Sequence, residues 1–187
     1  MGVEGELMTA TALNDLVIEK MVIRHIDSIR AIDKLCYSSP WSAATWRREL
    51  SESTRHHLVA RVDETVVGHA GVLFVLDEVH VTTVAVHPDR QGAGIATRLV
   101  CELLEAAVDS GSTSATLEVR ASERRTQRLY ARFGFLPAGT RRRYYSDPED
   151  DALVMWLSDL QNVDVSRRLS MVQAELALTS PIGEASS

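Results

Sequence analysis

The chain has no long apolar run. Nothing in its 187 residues approaches the ~18 consecutive apolar residues of a membrane helix, so no membrane span or membrane partner is expected. Cysteine is scarce. Cys36 and Cys101 are the two present, far apart and without ligand spacing, which argues against a disulfide framework or a thiolate metal site. Two free thiols suit a cytoplasmic protein. The six histidines make no cluster with cysteine, and no metal is expected. Positive charge is not in excess. A net charge of −6 speaks against a general nucleic-acid binder, so no nucleic acid is expected as a partner. The N-terminus carries acids and no basic stretch, so a secretory signal is not expected. Nothing in the chain sets an oligomeric state.

What is there is ordinary for one globular domain: 45% hydrophobic and 25% charged residues, with length enough for a full core. The charge is uneven. Arg120, Arg124, Arg125, Arg128, Arg132, Arg141, Arg142 and Arg143 crowd one stretch, and Asp147, Glu149, Asp150 and Asp151 follow. A basic cluster suits an anionic ligand, and an acidic loop beside it can attract a basic peptide.

Periodicity predicts a short strand over 21–25, then a helix over 27–37 with Ile29, Ile32 and Leu35 on one face. Ser42 reads as the N-cap of a second helix over 43–51. Residues 57–62 and 66–75 read as a hairpin around Asp63-Glu64. A strand over 78–86 ends at Pro88. A long helix follows over 94–110, then a strand over 115–119, a helix over 123–133 and a closing antiparallel pair, 135–143 with 152–157. Residues 1–20 read as an N-terminal extension, 21–157 as the domain, and 158–187 as a C-terminal extension. In that extension a short helix is expected over 171–178, and the last ten residues are expected to be disordered. No motif residue lies beyond Leu157, so this tail is expected to be dispensable for chemistry. His56 and His57 read as surface residues and His87 as a turn residue; His80 is placed to face the acceptor pocket but reads first as an ordinary strand histidine.

The most informative segment is Val84-Ala85-Val86-His87-Pro88-Asp89-Arg90-Gln91-Gly92-Ala93-Gly94-Ile95-Ala96, running into the helix at Thr97. It is a strand, a glycine-bearing loop and a helix start. Backbone N–H groups at a helix start lack partners within the helix, and the helix dipole adds partial positive charge. A pyrophosphate is the natural guest. No Lys follows the glycines, so this is not a P-loop. The order Gly92, Gly94, Ala96 is not a dinucleotide fingerprint either.

What the segment fits is Gln/Arg-x-x-Gly-x-Gly/Ala, through Gln91, Gly94 and Ala96. That resembles the acyl-CoA pyrophosphate loop of the GNAT superfamily of N-acetyltransferases. Further segments support it: Pro40-Trp41-Ser42, Leu117-Glu118-Val119-Arg120-Ala121-Ser122, Leu129-Tyr130-Ala131-Arg132-Phe133-Gly134-Phe135, and Arg141-Arg142-Arg143-Tyr144-Tyr145 leading into Asp151-Ala152-Leu153-Val154-Met155. In this order they resemble the bacterial branch that acetylates the N-terminal alanine of a small-subunit ribosomal protein. The resemblance covers roughly 21–157.

The resemblance implies an α/β (α+β) fold with a mixed, mainly antiparallel sheet and helices on both faces. It implies acetyl-CoA as co-substrate and a protein N-terminus as partner. It places a general base at Glu118 and a general acid at Tyr130. Acetyl-CoA is expected along Val84, Ala85, Val86, Gln91, Gly92, Ala93, Gly94, Ile95, Ala96, Thr97 and Tyr130. Glu123 stands where the family often has an Asn for the pantetheine arm. An ionised carboxylate cannot donate that bond, so Glu123 is a departure. Trp41 and Tyr144 are expected to frame the acceptor groove. Asp77, Glu78, Asp147 and Glu149 suggest a preference for a basic second residue in the acceptor. Two other readings stay open: the same fold acting on a small amine such as an aminoglycoside or polyamine, and a CoA-binding module without catalysis.

Overall fold

In the computed structural model of the chain, residues 15–178 are described. The elements run β1 (Leu16–Lys20), α1 (Ile26–Cys36), α2 (Ala43–Ser51), β2 (Arg55–Val62), β3 (Thr65–Val75), β4 (Glu78–Val86), α3 (Ile95–Asp109), β5 (Ser114–Arg120), α4 (Arg124–Arg132), β6 (Leu136–Ser146), β7 (Glu149–Leu157) and α5 (Val163–Leu178). The strands form one sheet in the order β1-β2-β3-β4-β5-β7-β6. Every pairing is antiparallel except β4 with β5.

That exception shapes the molecule. β4 and β5 pair only at Glu78↔Ser114, Val79↔Ala115 and His80↔Thr116. Beyond His80 they part. The β3–β4 register shifts between Gly71 and Val72, with Gly71 opposite Thr83 and Val72 opposite Val81. Thr82 is the extra residue, and its hydroxyl donates to the Gly71 carbonyl at 3.1 Å. A bulge bends its strand, and here it lies where β4 leaves β5.

Alternation along β2 sorts the two faces. Leu58 and Ala60 belong to the main core, with Leu99, Val100, Leu103 and Leu104 of α3. Val59 faces the other way, into a smaller cluster with Met21, Ile26, Ile29 and Trp46. Helices therefore cover both faces.

The outer parts of the chain depart from the sequence expectation. Residues 16–20 are not part of an extension: they form β1, paired from Leu16↔Val62 to Lys20↔Leu58. The expected strand over 21–25 is instead a buried Met21 followed by a 3-10 turn, Ile23–His25. Residues 158–178 are not a loose tail. In α5, Val165, Leu169, Val172 and Leu176 recur at helical spacing, and all four are buried in the main core. Truncation near residue 160 would remove these four residues from that core. The disorder expected for the last ten residues falls outside 15–178, except for Leu178, which ends α5.

His57 is the other correction. It shares the face of Val59 and is only 2% exposed. Its ring stands 5.4 Å from Trp46 in a buried polar cluster. There the Asp33 carboxylate accepts the Trp46 indole N–H at 2.9 Å and lies 2.7 Å from His69 Nε2. Burial, helped by His69, Arg55 and His56, pushes the His57 pKa down to about 4. The unfolded imidazole keeps its ordinary value near 6.5. Protons are then held more tightly by the unfolded chain between those values. His57 leaves stability unchanged above pH ~6.5 and lowers it as pH falls toward 4, by roughly 2 kcal/mol at pH 5. Melting of wild type and His57→Gln at pH 7.5 and 5.0 checks this. Wild type should lose several degrees more than the variant on acidification; equal losses would show that His57 does not titrate on unfolding.

Candidate active site

Where β4 and β5 part, a groove of about 1450 Å³ opens. One wall is the free edge of β4 with the loop after it. The other is the end of β5 with α4. The His87 N–H bonds the Val67 carbonyl of β3 at 2.9 Å. By alternation, the backbone groups of Val84 and Val86 face the groove instead. Their carbonyls accept from the Tyr37 hydroxyl at 2.9 Å and the Gln91 side-chain amide at 3.1 Å. The Val84 and Val86 N–H groups lie on that same edge.

The loop turns through Pro88–Arg90, with His87 Nδ1 accepting the Asp89 N–H at 3.3 Å. His87 is thus a turn residue, as expected. Gly92 and Gly94 have φ of 89° and 80°, left-handed values that strain any side chain. A β-carbon at Gly92 would stand 3.2 Å from Arg125 Nη2, and one at Gly94 3.1 Å from Leu176 Cδ2. The first helical bond of α3 runs from the Arg98 N–H to the Gly94 carbonyl. The Ile95, Ala96 and Thr97 N–H groups therefore precede the helical ladder. With Gln91, Gly92 and Gly94 they line the groove, and Arg125, Arg128 and Arg132 line it too. This cradle suits a polyanion. Ala93, between the two glycines, packs against the main core.

Glu118 follows from the alternation of its strand. Leu117 and Val119 point into the core, so Glu118 points the other way, into the groove. Its side chain is 9% exposed. Oε2 lies 3.0 Å from His80 Nε2, and Oε1 lies 3.1 Å from Arg141 Nη2. A largely enclosed carboxylate is stabilised by such partners. Sequence reasoning allowed His80 to face the acceptor pocket but read it first as an ordinary strand residue, and it did not single out Arg141 as a partner. His80 pairs with Thr116, which brings the side chain two residues further along β5 within reach, a register fixed only in the folded sheet. The position of Arg141 likewise depends on how β6 folds back over β7.

Tyr130 lines the groove and is 5% exposed, with its ring edge-on to Phe135 at 5.7 Å. Burial, then the nearby Tyr37 and Tyr145, raises its phenol above the ordinary tyrosine range. The hydroxyl is thus protonated near neutral pH. Glu123 is the N-cap residue of α4; its carbonyl accepts from the Gln127 N–H, and it lines the groove. Trp41 stacks obliquely on Trp46 at 4.9 Å, and Tyr144 meets Tyr145 edge-on at 5.1 Å. Trp41 and Tyr144 both line the groove. Tyr144 also borders a smaller pocket of about 390 Å³ with His80, Glu118 and Arg141. Glu118 thus stands where the two cavities meet.

The acids read as attracting a basic acceptor are partly engaged. Glu149 lies 3.7 Å from Arg143, Asp77 accepts from Thr113 at 3.1 Å, and Arg120 donates to the Asp147 and Pro148 carbonyls. With Arg141 on Glu118, the charge on the acceptor side is mixed.

The chain that carries this groove is similar to known proteins. The acetyltransferase (GNAT) family matches residues 26–135. The [ribosomal protein bS18]-alanine N-acetyltransferase of Escherichia coli (strain K12) is 31% identical over 128 residues, 67% of this chain and 86% of that one. N-alpha-acetyltransferase RimI of Mycobacterium tuberculosis is 39% identical over 120 residues, 62% of this chain and 74% of that one. The crystal structure of the ribosomal-protein-S18-alanine N-acetyltransferase from Escherichia coli superposes with a TM-score of 0.71 at 27% identity, covering 77% of this chain and 94% of that one. With the match covering more than half of the chain, the chain belongs to the GNAT family and is an acetyl-CoA-dependent N-acetyltransferase.

Proposed function

We propose that the protein transfers the acetyl group of acetyl-CoA to the α-amine of a protein N-terminus that begins with alanine. The relatives' names point to a small-subunit ribosomal protein of the S18 kind. The observation that carries the reading is Glu118, largely enclosed at the meeting of the two cavities and held by His80 and Arg141.

An α-amine arrives as an ammonium with pKa about 8 and must lose a proton to attack. Glu118 takes that proton, directly or through a water. His80 Nε2, at 3.0 Å, gives the proton a next stop. The freed amine attacks the thioester carbon and forms the N–C bond. The oxyanion that builds is met by N–H groups on the Val84–Val86 edge. The C–S bond then breaks, Tyr130 donates its proton to the departing thiolate, and the proton shed by the new amide nitrogen restores the phenol. The loop from Gln91 to Thr97 holds the pyrophosphate, with arginines of α4 beside it.

The fold alone does not choose the acceptor. Charge helps. A polyamine carries several positive charges, and Arg141, which borders the smaller pocket beside Glu118, repels it. Acetyl transfer to peptides with a free N-terminal alanine, measured beside spermidine and an aminoglycoside, tests the reading. Peptides should be turned over at least tenfold faster in kcat/KM. Turnover of a small amine alone would move the protein to the second reading.

A further inference from the structure

The matched family segment ends at residue 135, yet the far C-terminal helix reaches the acetyl-CoA groove. Leu176, in the last turn of α5, places Cδ2 3.1 Å from where a β-carbon on Gly94 would stand. Arg98, in the first turn of α3, donates from Nη2 to the Leu176 carbonyl at 3.3 Å. The neighbouring Glu175 pairs through Oε2 with Arg132 Nη2 at 2.7 Å. Arg132 ends α4 and lines the groove. Further back, Gln173 bonds Glu105 of α3. One helical turn therefore holds both the helix that begins at the cradle and the helix on the facing wall.

We propose that the last turn of α5 is a positioning element for acetyl-CoA, acting through Leu176 and Glu175. This rests on the cofactor reading above. Neither residue has to touch the substrate. Gly94 lies in a left-handed conformation with no side chain of its own to pack. Leu176 fills the space behind it, and the Arg98 bond fixes the first turn of α3. The Glu175–Arg132 pair sets the distance to α4. Removing this backing lets the cradle relax by a fraction of an ångström, and binding of a polyanion across several N–H groups is sensitive to such shifts. The Arg132–Glu175 pair is well exposed and contributes little to stability. A function for it would appear in cofactor binding and not in melting.

The test compares Leu176→Ala, Glu175→Gln and the volume-conserving Leu176→Met with wild type in the full chain. Met171→Ala, on the exposed side of the same helix, is the control. Leu176→Ala should raise the KM for acetyl-CoA by about 5- to 10-fold. Calorimetric affinity for CoA should fall in parallel, while kcat and the peptide KM stay within twofold. Glu175→Gln should give a smaller change in the same direction at unchanged melting temperature. Leu176→Met and Met171→Ala should stay within twofold of wild type throughout. Unchanged CoA affinity in folded Leu176→Ala would overturn the proposal. So would a rise in peptide KM equal to that for acetyl-CoA, which marks a general loosening. If wild type binds CoA but acetylates no amine, the proposed function fails, and the calorimetric comparison still decides the role of α5.

Discussion

Glu118→Gln should lower kcat/KM on an alanine-starting peptide by roughly 10²-fold or more, the usual scale for a lost general base. The substitution keeps the volume. Its amide oxygen can still accept from Arg141, and its amide nitrogen can face His80, so the fold and CoA affinity should stay as in wild type. What is lost is proton affinity at one place. The deficit should therefore shrink as pH rises past the α-amine pKa of about 8, where the acceptor sheds its proton unaided. Rates for both proteins from pH 6.5 to 9.5, with CoA affinity as the folding control, read this out. A variant within twofold of wild type at neutral pH would remove Glu118 from the proton path. A deficit that stays constant with pH would assign it to acceptor binding.

Tyr130→Phe should lower kcat by about 10- to 10²-fold, the lower part of the range for a lost general acid. The ring stays and keeps its edge-on contact with Phe135, so thermal melting should stay close to wild type. Burial keeps the wild-type phenol protonated well above neutral pH. Its titration should therefore place no limb in the rate profile between pH 7 and 9. Turnover and melting measured on one preparation separate chemistry from packing. Normal turnover would return Tyr130 to the core. A large loss of melting temperature would mean that the hydroxyl supports the fold.

The centre of the domain was legible because its signals are local. Asp63-Glu64 between two alternating runs marked the β2–β3 hairpin. Ser42 caps α2 as read, accepting the Thr45 N–H at 3.0 Å. Gln91, Gly94 and Ala96 marked the cradle, and Leu117 and Val119 around Glu118 set which way the carboxylate points. The periphery was less legible because its burial is decided by distant elements. Arg167, Arg168 and Ser170 interrupt the apolar residues of α5, and only the surface of α3 makes Val165, Leu169, Val172 and Leu176 a buried face. Leu16–Lys20 is a strand because β2 offers it an edge. His57 looked exposed beside His56, yet alternation turns it inward against Trp46, which no spacing within β2 reveals. The partners of Glu118 were missed for the same reason: His80 and Arg141 come from two strands that meet it only in the folded sheet.

The most direct test of the account is the position of the acetyl group on a peptide that begins with a free alanine and also carries an internal lysine. Fragmentation mass spectrometry after reaction with acetyl-CoA locates it. Acetyl on the alanine α-amine, absent with Glu118→Gln at neutral pH, is the result this account predicts. Acetyl on the lysine side chain, or no peptide product while a polyamine or aminoglycoside is acetylated, would contradict it.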